Sequence, residues 1–269
     1  MNRPDRADVL LEGDMEIEGR MPWSSNATFL VHLRVSDDAS DDDPGHDDTV
    51  DDDTVDDGTV DPGDDETSGE SVKAIYKPYK GERPLWDFPA GLYRREVAAY
   101  ELAVLLGWDI IPRTVLREGP FGIGSVQTFV EADFSEHYFT MMESRPSVHH
   151  HFRTMATFDL IANNADRKGG HLLLRPEDDS VWGIDQGLCF NVEPKLRTVL
   201  WDFAGEKIPK HLRADVDRVA SMRPGTLGAL DELLTDDEIT SMLERARRVV
   251  ERPFFPHPKS DYAYPWPMV

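Results

Sequence analysis

Asp166 and Asp185 are the residues of this chain best placed to do chemistry together. Asp166 lies in Asn163-Asn164-Ala165-Asp166-Arg167-Lys168-Gly169-Gly170-His171, and Asp185 follows 19 positions later in Gly183-Ile184-Asp185-Gln186-Gly187. Between them, Leu172-Leu173-Leu174 and Val181-Trp182-Gly183-Ile184 flank a polar turn over 175–180, the pattern of a strand–turn–strand hairpin. A loop that opens one strand and a segment that closes its partner lie at the same end of a hairpin, so both carboxylates are expected in one site. One Asp would orient an accepting hydroxyl and the other would hold Mg²⁺ on nucleotide phosphates, the division of labour of phosphoryl transfer. Lys168, two residues after Asp166, is placed to neutralise charge on a transferring phosphoryl group.

Two upstream residues extend this constellation. Lys77 ends the apolar run Ala74-Ile75-Tyr76-Lys77. An ammonium turned inward from a core strand needs an anionic partner, and Glu96, in the helical stretch Tyr93–Tyr100, is the natural one. Together they would bind and hold nucleotide phosphates. The turn Trp23-Ser24-Ser25-Asn26-Ala27 sits where a phosphate-covering loop would lie. It is not glycine-rich, and it reads either as a plain hairpin turn or as a phosphate cradle built from Ser24, Ser25 and Asn26 with their backbone N–H groups.

The elements that must carry these residues fall into two parts. Residues 15–21, 28–35, 72–79, 115–117 and 125–130 read as strands, and 92–106 as a helix ended by Gly107. From about 132 the pattern turns helical: 148–162, then the hairpin, then 206–221, 226–234 and 236–252 with Thr235 as cap. This is an α+β chain, with an antiparallel sheet and one helix over 1–131 and a mainly helical 132–269. The Pro- and aromatic-rich 253–269 reads as packed irregular structure.

The net charge of −23 is local. Residues 36–71 hold 15 Asp and 2 Glu and no Lys or Arg, so the rest of the chain has 35 acids against 29 bases, a charge of −6. That segment is an acidic, self-repelling insert expected to be disordered between two strands. It lacks the Gly and terminal Glu spacing of an EF-hand loop, which argues against a calcium site. With no basic face, the chain is not expected to bind nucleic acid. There is no apolar run of 18 residues and no apolar core in Met1-Asn2-Arg3-Pro4-Asp5, so neither membrane insertion nor a signal peptide is expected. The lone Cys189 cannot form an intrachain disulfide and reads as a buried apolar residue; a cytoplasmic location is the expectation. His149-His150-His151 diverge by about 100° per residue on a helix and read as a polar helix start rather than a metal site. Lys195 and Arg197 follow Asp185 in the position of a substrate loop. They are placed to meet an anionic substrate, with a solvated loop as the default.

Tyr76–Pro78, Gly81–Pro89 (Gly-Glu-Arg-Pro-Leu-Trp-Asp-Phe-Pro), Arg95–Tyr100 and Asn163–His171 together resemble an atypical kinase family of the phosphatidylinositol 3-/4-kinase-like class, in particular a small microbial group of it. The resemblance spans nearly the whole chain except the acidic insert. It implies a two-lobed protein-kinase-like fold with ATP in the cleft, Lys77 on phosphate, Glu96 positioning Lys77, Asp166 catalytic and Asp185 on Mg²⁺ or Mn²⁺. The wider class has Asn five residues after the catalytic Asp as a second metal ligand, where this chain has His171. His171 then shifts the metal preference toward Mn²⁺, leaves one metal site weak, or is structural. An ATP- and metal-dependent phosphotransferase is the leading expectation. A nucleotide-binding pseudokinase and a kinase-fold AMP transferase are the alternatives, and the acceptor is a protein, a metabolite or an inositol lipid.

Overall fold

The computed structural model describes residues 6–22, 24, 26–34 and 71–269. Ser25 and nearly all of the acidic insert lie outside the described residues.

The chain opens with a short helix, α1 (Arg6–Glu12), which the sequence pattern did not anticipate, and then β1 (Asp14–Arg20), β2 (Phe29–Arg34) and β3 (Val72–Pro78). Helix α2 (Leu92–Leu106) follows, then β4 (Thr114–Gly119) and β5 (Gly122–Thr128). The five strands form one antiparallel sheet in the order β1-β2-β3-β5-β4. Its strands fall within one to three residues of the expected boundaries. Alternation along β3 sorts the side chains. Ala74 and Tyr76 are fully buried in a small core with Leu10 of α1, Val31, Leu33, Val115 and Val126. Ile75 and Lys77 therefore face the other way, toward the second half of the molecule.

That second half holds α3 (Tyr138–Ser144), α4 (His149–Ala162), β6 (Leu172–Arg175), β7 (Ser180–Gly183), α5 (Lys210–Ala220), α6 (Ala229–Leu233) and α7 (Asp236–Glu251). Helix α3 was not anticipated either. Its start is fixed by a capping box between His137 and Thr140, whose residue types are unusual for one. Helix α5 begins at 210 rather than 206 because Pro209 sets the entry backbone. Thr235 caps α7 as expected, in a reciprocal box with Glu238.

The larger core is built by α4, α5 and α7 with the hairpin. It also takes Ala98, Ala99, Leu102, Ala103 and Leu106 of α2. Helix α2 thus precedes the helical half in the chain yet packs into its core. A second tie between the halves is the buried ion pair Arg95–Glu238, linking α2 to α7. No helix among the described residues is long and apolar enough to cross a membrane.

Candidate active site

A cleft of 440 Å³ runs between the sheet and the β6–β7 hairpin. Ser24, Asn26, Lys77, Glu96, Asp166, Lys168, His171 and Asp185 all line it. Every expected site residue other than Ser25 is therefore brought to one cavity. The hairpin does this as its pattern implied: Leu172 pairs with Gly183, so the Asp166 loop and Asp185 leave the same end. Leu172 and Leu174 point into the core, while Leu173 lines the cleft with Ile75, Phe129 and Ile184.

At the polar end, Lys77 Nζ donates to Glu96 Oε1 at 2.5 Å and to Asp185 Oδ1 at 3.0 Å. Burial pushes the Lys77 pKa down, but Asp185 and Glu96 more than offset it and hold the ammonium above its ordinary range. Glu96 is almost wholly buried, and its Oε2 accepts from the Gln186 N–H at 2.8 Å. Asp185 has φ 58°, a left-handed backbone that turns its half-exposed carboxylate back toward Lys77. Lys77 holds the Asp185 carboxyl well below the usual carboxylate range.

Asp166 behaves in the opposite way. Burial raises its pKa to about 6, against the pull of Lys168, whose Nζ lies 3.3 Å from Oδ2. Two carboxylates in one cleft thus have their proton affinities pushed apart, the pattern expected of a base beside a cation-holding group.

His171 is nearly buried, and desolvation lowers its pKa to about 4, so it is neutral at pH 7. Its Nδ1 accepts from the Lys168 N–H at 3.4 Å. The ring proton then sits on Nε2, which faces Asp185 Oδ2 at 3.4 Å. In this tautomer His171 turns an N–H toward Asp185, not an open lone pair for a metal.

No group of three or more His, Cys, Asp or Glu converges as a ready metal cage among the described residues. That donor set still fits Mg²⁺ or Mn²⁺ held with a nucleotide, because such ions rest on one or two carboxylates plus phosphates and water. The histidine run does not contribute: His149 bonds the Met142 carbonyl and His150 that of Ser147, at the start of α4.

Two supports of the site were not visible in the sequence. The first is Arg167, which is fully buried. Its guanidinium grips Asp159 of α4 through Nε at 3.1 Å and Nη2 at 2.9 Å, and also bonds Gln186 Oε1 at 2.8 Å and the Ile184 carbonyl at 3.1 Å. Asn164 joins the network through Asp159 and Gln186, and its Oδ1 accepts from the Asp166 N–H at 2.9 Å. One buried cluster thus sets the backbone on both sides of the two cleft aspartates. The available signal was Asp159 itself, a charged residue on the apolar face of α4.

The second support is Glu82. Its carboxylate accepts from the Gly91 and Tyr93 N–H groups at 2.9 and 2.8 Å, capping α2 from outside the helix. Next to it, Gly81 packs so closely that an added Cβ would stand 2.6 Å from Ala27 Cβ. The Arg83 N–H donates to Asn26 Oδ1 at 2.9 Å, and Ser24 Oγ bonds Thr28 Oγ1 at 2.8 Å. The 81–83 segment therefore ties the loop between β1 and β2 to the helix that carries Glu96. Glu82→Ala is expected to lower unfolding stability by about 1–2 kcal/mol, the usual size of a lost N-cap, read by urea melts.

The tail closes over the Asp166 loop and the segment that follows Asp185. The Gly169 N–H donates to the Met268 carbonyl at 2.7 Å, and the Thr198 N–H to that of Ala263 at 3.1 Å.

No protein-family model matches the chain. In fold, the chain is similar to the Golgi casein kinase solved with Mn/ADP bound, with a TM-score of 0.51 and 12% identity over 91% of this chain and 73% of that one. The Helicobacter pylori proinflammatory kinase CtkA aligns at a TM-score of 0.47 and 10% identity, over 95% of this chain and 96% of that one. The casein kinase match shows an atypical kinase-like fold, and it lends no support to the narrower phosphatidylinositol 3-/4-kinase type expected from the motifs. In sequence, the chain is 34% identical to Protein Rv2133c of Mycobacterium tuberculosis, over 98% of this chain and 96% of that protein. Near-complete coverage in both directions at this identity means that the chain belongs to the family of Protein Rv2133c.

Proposed function

We propose that the protein is an ATP- and divalent-metal-dependent phosphotransferase. One observation carries this reading: a single cleft holds Lys77 paired with a buried Glu96, a carboxylate kept ionised beside Lys77, and a second carboxylate with a raised pKa. The atypical kinase-like fold, shared with a kinase solved with Mn/ADP, supports it.

In this reading the apolar wall of Ile75, Phe129, Leu173 and Ile184 takes the adenine ring. Lys77 binds the phosphates and Glu96 orients it, while Ser24 and Asn26 border the phosphates from the loop between β1 and β2. A divalent cation on Asp185 would neutralise charge on the β- and γ-phosphates. Asp166 accepts the proton of the acceptor hydroxyl as that oxygen forms its bond to the γ-phosphorus and the bond from phosphorus to the ADP oxygen breaks. Lys168, held beside Asp166, balances charge on the transferring group. Incubating the purified protein with ATP labelled at either the α- or the γ-phosphate, with Mg²⁺ or Mn²⁺ and with protein, metabolite and inositol-lipid acceptors, tests this. Label from the γ position supports the reading. Label from the α position alone makes it an AMP transferase.

A nucleotide-binding regulator without transfer is the second reading, and the Nε2 proton of His171 facing Asp185 favours it. His171→Asn replaces that ring with an amide oxygen suited to a hard cation. Transfer supported by Mg²⁺ relative to Mn²⁺ is expected to rise roughly 3–10-fold, read as initial rates with each metal.

A further inference from the structure

A second cavity, of 890 Å³, shares no lining residue with the nucleotide cleft. Its walls are the 194–197 segment, the last turns of α7 and the 254–263 stretch of the tail. In a chain of net charge −23, six of its lining residues are permanent cations and Glu251 is the sole carboxylate among them. Two of those cations are engaged: Lys195 with Asp87 at 3.1 Å, and Arg248 with Glu244 at 3.6 Å. Arg197, Arg245, Arg252 and Lys259 have no carboxylate within 4.0 Å among the described residues.

Arg245 is the most telling of them. Its Nε and Nη1 donate to the carbonyls of Ile161 and Asn191 at 2.8 and 3.2 Å, while Nη2 is buried with no partner. A desolvated guanidinium with an idle donor and no anion carries a standing cost that an anion bound beside it lowers through its charge. Burial lowers the pKa of Arg245 to about 10, in keeping with that cost. At the rim, Phe254 and Tyr262 present rings that are 55% and 85% exposed. Guanidinium forks match tetrahedral oxyanions, and flat rings beside them suit an ester that carries its own ring.

We propose that this cavity binds a phosphate monoester, with Arg245 at its floor and Arg197, Arg252 and Lys259 around the phosphate. The wall carrying Arg197 is bonded to the Asp166 loop. The Lys195 N–H donates to Asn163 Oδ1 at 2.9 Å, that of Arg197 to the Asn164 carbonyl at 2.9 Å, and that of Arg167 to the Arg197 carbonyl at 3.0 Å. An occupant therefore stiffens the loop that carries Asp166.

The test is calorimetric titration of the full chain with inorganic phosphate and with phenyl phosphate, at constant ionic strength set by sodium chloride. Both probes are expected to bind the wild type and the cleft variant Lys77→Met alike, phenyl phosphate more tightly. Both are expected to bind Arg252→Gln/Lys259→Gln at least about 10-fold more weakly, since two charge-assisted contacts are lost. Arg252 and Lys259 are exposed, so this double variant keeps its fold where Arg245 variants, which lose two backbone bonds, need not. Absent binding, binding unchanged in the double variant, or binding lost in Lys77→Met overturns the site. Phosphate is also expected to slow hydrogen exchange at the Arg167 and Arg197 amides, and unchanged exchange there overturns the coupling to the Asp166 loop.

Discussion

Asp166→Asn is expected to cut phosphoryl transfer by about 10²–10⁴-fold, the usual contribution of a positioned general base, while leaving ATP affinity within about twofold. The amide keeps the shape but cannot take the acceptor proton. Because Asp166 has its pKa raised to about 6, transfer by the wild type should fall on the acid side with an apparent pKa near that value. The same substitution should stabilise the protein without nucleotide. The folded-state pKa lies above the ordinary 3.8, so between about pH 4 and pH 6 the folded state holds the proton more tightly than the unfolded chain. Stability from this group is therefore lost as pH rises through 6, at a cost of about 3 kcal/mol that is fully present at pH 7. The Asn variant should melt a few degrees higher than wild type at pH 7, and this advantage should vanish at pH 4. Transfer undiminished in the variant would remove Asp166 from the chemistry. A variant less stable than wild type at pH 7 would instead mean that the Lys168 pair outweighs burial.

The largest expected effect on the fold comes from Arg167→Met. The change strips Asp159, wholly buried, of its bidentate partner and leaves an uncompensated carboxylate in the core. Breaking a buried pair from one side costs about 3–5 kcal/mol, a large share of the stability of a domain this size. Burial already raises the pKa of Asp159 against the pull of Arg167, so without the guanidinium the group should fold protonated or not at all. Chemical denaturation measures the loss, and the double variant Arg167→Met/Asp159→Leu separates charge from packing. Recovery of much of the stability in the double variant, with no recovery of phosphoryl transfer, is the expected result. It would mean that the pair is retained for the shape of the Asp166 loop rather than for net stability.

The difference between these two aspartates marks how far the sequence could be read. Strands at 14–20, 29–34 and 72–78, helix 92–106 and the 172–183 hairpin follow from period-2 and period-3.6 patterns and from Gly107 at a helix end, all of them local properties. Asp166 and Asp185 could be assigned to one place because a hairpin returns on itself. Lys77 could be paired with Glu96 because an inward ammonium on a core strand demands an anion. Helix α1 lies only seven residues deep and was missed, since so short a segment presents less than two turns of pattern. Helix α3 was missed for the same reason, its cap being His137 rather than one of the usual hydroxyl or carboxylate residues.

What only the tertiary structure decided is where polar groups go once they leave water. Arg167 and Lys168 are neighbours in a polar turn, and nothing in their types says that one is fully buried while the other lines the cleft. Glu82 caps a helix that begins ten residues later, and Arg245, in the middle of an amphipathic helix, meets the carbonyls of Ile161 at the end of α4 and of Asn191 in a distant loop. The identity of His171 announced a departure, but its proton was placed by the Lys168 N–H and the nearby Asp185. The sequence by itself determined which segments form strands and helices, and which carboxylates share one end of a hairpin, because those follow from the order of apolar and polar residues along the backbone. Burial, tautomer and proton affinity came from folding, because each depends on which distant dipoles and charges replace the water a side chain gives up.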